Sequence, residues 1–103
     1  MWRVEFHPAL GSEIRKTQLG VIVSNNSANR NLAQVIIVPL TSNTNRVYPG
    51  EARVAVAGQS SKATADQIMT ADKARLKSRI AAISKADMNA VELAVQLHLA
   101  LAI

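Results

Sequence analysis

The run Val35-Ile36-Ile37-Val38-Pro39-Leu40 constrains this chain more than any other segment. Four of its residues are β-branched and none is polar, so it has no face suited to water. Such a run fits a central strand buried on both sides. Gly20 to Ser24 is a second, shorter run of the same kind. Between them, Asn25 to Asn31 is rich in Asn and Ser and reads as a loop or a single helical turn. Trp2, Val4 and Phe6 alternate with Arg3 and Glu5, the pattern of a half-buried strand, and His7-Pro8 ends it because proline cannot donate to a ladder.

The polar stretch from Thr41 to Gly50 separates these strands from Arg53-Val54-Ala55-Val56, which returns as a strand. Gly58 to Ser61 reads as a turn, and Ala63 to Ile68 as a short strand leading to Asp66-Gln67. Helices come late. Thr70-Ala71-Asp72 is suited to cap a short helix running to about Lys77, and Arg79 to Ile83 has the look of a last strand. Ser84-Lys85-Ala86-Asp87 resembles a capping box, with Asp in place of the usual Glu or Gln. The helix it opens is expected to reach about Leu101. Met88, Val91, Val95, Leu99 and Ala102 form its core stripe, and Leu93, Leu97 and Leu101 form a second stripe that suggests a subunit contact. Short strands followed by one terminal helix make an α+β domain with a small curled or barrel-like sheet. With 103 residues, the whole of 1–103 is expected to form one domain.

Several classes of chemistry are excluded by inventory. Cysteine is absent, so there is no disulfide framework and no thiolate nucleophile. His7 and His98 lie far apart and the seven acidic residues are scattered, so no metal centre and no cofactor is expected. No apolar run reaches the ~18 residues of a membrane span and no signal pattern opens the chain, so a cytoplasmic protein is expected. The net charge of +5 suits an anionic partner. Its clusters are Arg15-Lys16 and Lys73, Arg75, Lys77 and Arg79. Of the three aromatic residues, Trp2 and Phe6 fit the core pattern and only Tyr48 remains. A general single-strand binder needs more exposed rings than that. Any bound RNA would be recognised by hydrogen bonds in a groove.

Four short segments end apolar runs with small polar or acidic residues: Gly11-Ser12-Glu13, Val21-Ile22-Val23-Ser24-Asn25, Val38-Pro39-Leu40-Thr41-Ser42 and Asp66-Gln67-Ile68-Met69-Thr70. In this order and spacing they resemble the MazF/PemK family of toxin endoribonucleases, over nearly the whole chain from Gly11 to Leu101. The resemblance implies an SH3-like barrel with short helices and a C-terminal α-helix, assembled as a two-fold dimer. It also implies metal-independent, sequence-selective cutting of single-stranded RNA to 2′,3′-cyclic phosphate and 5′-hydroxyl ends, held in check by an acidic antitoxin. A protein can support that reaction with Glu, Asp, Arg, Thr and Ser alone, because the RNA's own 2′-hydroxyl is the nucleophile.

By the resemblance, Thr41 is the catalytic threonine, Glu13 a candidate base, and Asp66 an acid used for catalysis or for base recognition. Ser12, Arg15, Lys16, Thr17, Asn25, Ser42 and Gln67 are the candidate RNA contacts. Read alone, Thr41-Ser42 is a turn former and residues 8–17 are a polar loop. One position departs from the family. Its usual Thr-Arg-Pro is Thr17-Gln18-Leu19 here, so the principal catalytic cation is replaced by the neutral Gln18. The expectation is an attenuated enzyme. The alternatives are a catalytically silent homologue that binds antitoxin or RNA and, more distantly, a gyrase poison like the CcdB toxins.

Overall fold

Pro39, in the middle of a central strand, organises the sheet. The computed structural model describes residues 1–6, 16–42, 44, 46–48 and 51–101. The strands are β1 (Trp2–Phe6), β2 (Lys16–Ile22), β3 (Gln34–Thr41), β4 (Glu51–Val56), β5 (Gln59–Thr64), β6 (Met69–Asp72) and β7 (Leu76–Arg79). A short helix α1 (Asn26–Asn31) joins β2 to β3, and α2 (Lys85–His98) follows β7. The order is β4-β5-β3-β2-β1-β7, with β6 also on β3. One edge of β3 is shared: Gln34 to Ile37 pair with β6, and Leu40 and Thr41 pair with β5. Pro39 stands at that handover. Its missing N–H leaves no ladder bond broken, and its carbonyl accepts from the Thr64 hydroxyl at 2.9 Å.

Both faces of β3 are buried, as its composition requires. Val38 and Leu40 join a cluster with Val21, Val54, Val56 and Val91 on the α2 side. Val35 and Ile37 join Val4 and Ala71 on the other. Each fully buried Ile or Val contributes roughly 1.5–3 kcal/mol from burial. A closed barrel is not formed: among the described residues β4 and β7 end the order without pairing to each other.

Helix α2 covers the first cluster with Val91 and Ala94, and Met88 and Val95 pack beside them. The Ser84 hydroxyl caps it by accepting from the Asp87 amide at 3.1 Å. Asp87 does not complete a capping box. Its carboxylate instead accepts from the Ala55 amide at 2.9 Å and covers the outer edge of β4. The helix stops at His98, short of Leu101, and Leu99 at its C-cap is exposed rather than in the core. Leu93, Leu97 and Leu101 are exposed, as a second stripe should be. Ala102 lies outside the described residues.

Four local readings are corrected. Thr70-Ala71-Asp72 opens no helix but belongs to β6, where Ala71 faces Val35, and only Lys73–Arg75 forms a 3-10 turn. Burial of Ala71 against β3 outweighs the local capping signal. The last strand is Leu76–Arg79 rather than Arg79 to Ile83; Ala81 and Ile83 instead pack against the first cluster. Ala63 to Ile68 divides into the end of β5 and a 3-10 turn, Ala65–Gln67. The preceding turn is only Ala57-Gly58, since Val56 pairs with Gln59. Both turn residues have positive φ, 49° and 82°, the two-residue hairpin geometry that matches strand twist. Ala57 accepts there a conformation that costs a non-glycine residue roughly 1–2 kcal/mol.

Candidate functional site

A cleft of about 440 Å³ opens where β2 begins and β3 ends. Gln18 and Leu19 line it from β2, and Leu40, Thr41 and Ser42 line it from β3 and the residue beyond. The opposite wall is the β4–β5 hairpin, through Val56, Ala57, Gln59 and Ser61. Leu40 and Val56 are buried, Thr41 is half-buried and Ser42 is exposed. The Gln18 amide nitrogen donates to the Leu40 carbonyl at 2.7 Å, which holds that side chain across the β2–β3 boundary. Among the described residues that line the cleft, none carries a charge.

The hairpin wall is fixed from behind. Lys62 and Glu51 form an ion pair at 3.2 Å on its other face, and the Lys62 ammonium also donates to the Arg46 carbonyl at 3.0 Å. Glu51 accepts from the Tyr48 amide at 2.8 Å. That bond, with the nearby Lys62, holds the Glu51 carboxyl below its ordinary range against a smaller opposing effect of burial.

The residues expected at the site divide into three groups. Gln18, Thr41 and Ser42 come together in the cleft. Asp66 and Gln67 are exposed on the 3-10 turn after β5 and are not among its lining residues. Asn25 is elsewhere as well. Its side chain caps α1 by accepting from the Ala28 amide at 2.8 Å, and it borders a second cavity with Trp2, Ser24, Arg79 and Glu92. Asn25 thus stands apart from the cleft, with its side-chain oxygen taken up by the N-terminus of α1. Lys16 and Thr17 lie in β2, opposite Phe6 and Glu5. Ser12, Glu13 and Arg15 lie outside the described residues. The hairpin residues Gln59 and Ser61 are the polar cleft members that the sequence reading missed. The sequence signal for them was the two-residue turn Ala57-Gly58, which sets which side chains of β5 face inward.

Residues 1–99 match the model of the PemK-like, MazF-like toxins of type II toxin-antitoxin systems. The chain belongs to that toxin family. Endoribonuclease MazF9 of Mycobacterium tuberculosis (strain ATCC 25618 / H37Rv) is 33% identical over 108 residues, which take in 96% of this chain and 92% of that protein. Among solved structures, an endoribonuclease from Mycobacterial species in complex with its cognate antitoxin superposes with a TM-score of 0.80 at 29% identity, covering 99% of this chain and 92% of that one. A second endoribonuclease from Mycobacterial species gives a TM-score of 0.77 at 31% identity, with 84% of each chain covered. The MazF-like fold therefore extends over the whole described chain, sheet and α2 together. No helix among the described residues is long and apolar enough to cross a membrane.

Proposed function

We propose that this MazF-like chain is the toxin of a toxin–antitoxin pair and cuts single-stranded RNA at a short sequence without a metal ion. The observation that carries the reading is the meeting of Gln18, Thr41 and Ser42 in one cleft, the first two at positions where the family resemblance puts catalytic groups. In the reaction, the 2′-hydroxyl oxygen attacks the adjacent phosphorus, the bond to the 5′ oxygen breaks, and the products carry a 2′,3′-cyclic phosphate and a 5′-hydroxyl. Glu13 takes the 2′-hydroxyl proton, and the leaving 5′ oxygen takes a proton from solvent water as its bond to phosphorus breaks. The Thr41 hydroxyl donates to a phosphoryl oxygen, Arg15 and Lys16 hold the phosphate, and Asp66 and Gln67 contact RNA outside the cleft wall.

Gln18 weakens this site. One of its N–H donors already serves the Leu40 carbonyl, and none of its donors carries a charge. Loss of a donor to the developing charge costs ~3–4 kcal/mol, or about 10²–10³ in rate. An arginine has five N–H donors, so it can keep the Leu40 bond and still reach a phosphoryl oxygen. The test is single-turnover cleavage of a long unstructured RNA in excess chelator, with the ends mapped. Slow cutting by the native chain and cutting about 10²–10³ faster by Gln18→Arg, at one motif, is the expected result. Equal rates would assign the cation to Arg15 or Lys16. If neither protein cuts, the reading fails.

A second reading, a silent homologue that binds antitoxin or RNA, is favoured by the absence of charge among the described residues that line the cleft. In either case the partners are an acidic antitoxin, which suits the net charge of +5, and a second copy of the chain. The copies meet through the exposed Leu93, Leu97 and Leu101. Sedimentation as a dimer that Leu97→Glu dissociates is expected, and a monomeric native chain would remove that part of the proposal.

A further inference from the structure

The inner face of the β4–β5 hairpin breaks its own pattern. Ala52, Val54 and Val56 of β4 point inward and are buried. Their partners on β5 are Ala63, Ser61 and Gln59. Only Ala63 is a core residue; Ser61 is half-buried and Gln59 exposed. Two successive inward positions thus carry hydrogen-bonding side chains where alternation calls for apolar ones. Polar residues at core-register positions cost stability unless they serve something else. Both of these open onto the cleft that holds Gln18 and Thr41.

The chemistry of the cleft says what they serve. Its floor is apolar, from Leu19, Leu40 and Val56, and none of its described lining residues is charged. The described lining therefore offers no charge with which to select a phosphate. It suits a flat neutral ring whose faces lie on aliphatic side chains and whose edge meets donors and acceptors. A Gln amide offers both a donor and an acceptor, and a Ser hydroxyl does the same, so the pair can distinguish one base edge from another. The wall is also held in place, by the Lys62–Glu51 pair behind it and by the short Ala57-Gly58 turn at its tip.

We propose that Gln59 and Ser61 are specificity-determining residues that hydrogen-bond the edge of one RNA base seated in the cleft beside the bond to be cut. This rests on the ribonuclease reading above. The test uses the full chain and a randomised pool of single-stranded RNA ten-mers bearing 2′-O-methyl groups, which cannot be cut, with the bound fraction sequenced. The native chain is compared with Gln59→Ala, Ser61→Ala and the isosteric Gln59→Glu, and thermal midpoints are recorded for each.

At one position of the bound RNA, the native chain is expected to prefer one base by about tenfold. Gln59→Ala and Ser61→Ala are expected to reduce that preference to about threefold or less, leaving the other positions unchanged. Gln59→Glu, which only accepts, is expected to move the preference toward bases that present an amino donor there. If the native preference persists at every position in all three variants, this wall does not read a base, although the ribonuclease reading stands. If the native chain binds no RNA in the pool, both fall together.

Discussion

At one end of the β2–β3 pair, Ser24, Asn25 and Asn29 use their polar groups on one another and on the backbone. The Asn29 side-chain Nδ2 donates to the Ser24 carbonyl at 2.9 Å, and the Ser24 hydroxyl donates to the Asn29 side-chain oxygen. The same hydroxyl accepts from the Ile36 amide at 3.1 Å, and Asn25 caps α1. At the other end, Gln18, Thr41 and Ser42 stand around a cleft faced by a polar hairpin wall. The side chains are of the same types. What separates the two ends is a neighbour: α1 starts immediately after Asn25 and supplies unpaired helix amides for it to satisfy, whereas none of the described residues between Thr41 and β4 is helical. Small polar residues after an apolar run therefore mark a strand end, and only the next element decides whether they close it or line a site.

Removing the Thr41 hydroxyl should separate the two ends most sharply. In the Gln18→Arg chain, Thr41→Val is expected to slow single-turnover cleavage by about 10²–10³. Its denaturation midpoint should move by no more than the ~1 kcal/mol of one ordinary hydrogen bond. A chain that cuts normally after this change would strip the cleft end of its catalytic assignment. The other end predicts the reverse pattern. Asn25→Ala should cost ~1 kcal/mol of stability through the lost helix cap, about 4–8 °C in midpoint for a domain of this size. Cleavage by the same variant, measured well below its midpoint, should stay within about twofold of the parent, because ~1 kcal/mol of cap energy acts on folding rather than on the cleft. Slower cutting with unchanged stability would return Asn25 to the RNA groove and break the contrast.

Much of the fold was legible where a signal is local. The β-branched run of β3, the strand pattern of β1 and the Ser84 cap all act within a few residues of one another, and the structure has β1 and β3 as strands and Ser84 as the cap. Failures came where the partner is remote. Thr70-Ala71-Asp72 has a credible helix cap, but Ala71 gains more by pairing with Val35, 36 residues earlier in the chain. Asp87 sits where a capping box would use it, yet Ala55 on the outer edge of β4 takes its carboxylate. The site divides the same way. Thr41 and Ser42 were found at the end of an apolar run, while Gln59 and Ser61 went unnoticed because a strand with polar inward positions does not look like one.

The sequence by itself determined that β3 is buried on both faces, that a helix closes the chain and that position 18 carries no charge. Those properties belong to side chains and to their nearest neighbours, so no folding is needed to know them. Its order of segments also determined the MazF-like family, which the match over residues 1–99 establishes. Only the tertiary structure decided that β3 changes partners at Pro39, that Gln18 is tied to the Leu40 carbonyl, and that a hairpin starting 10 residues after Thr41 supplies the opposite wall of its cleft. Each of those depends on bringing distant backbone together. Distance along the chain carries no information about such contacts until the buried faces of β3 have fixed the sheet around it.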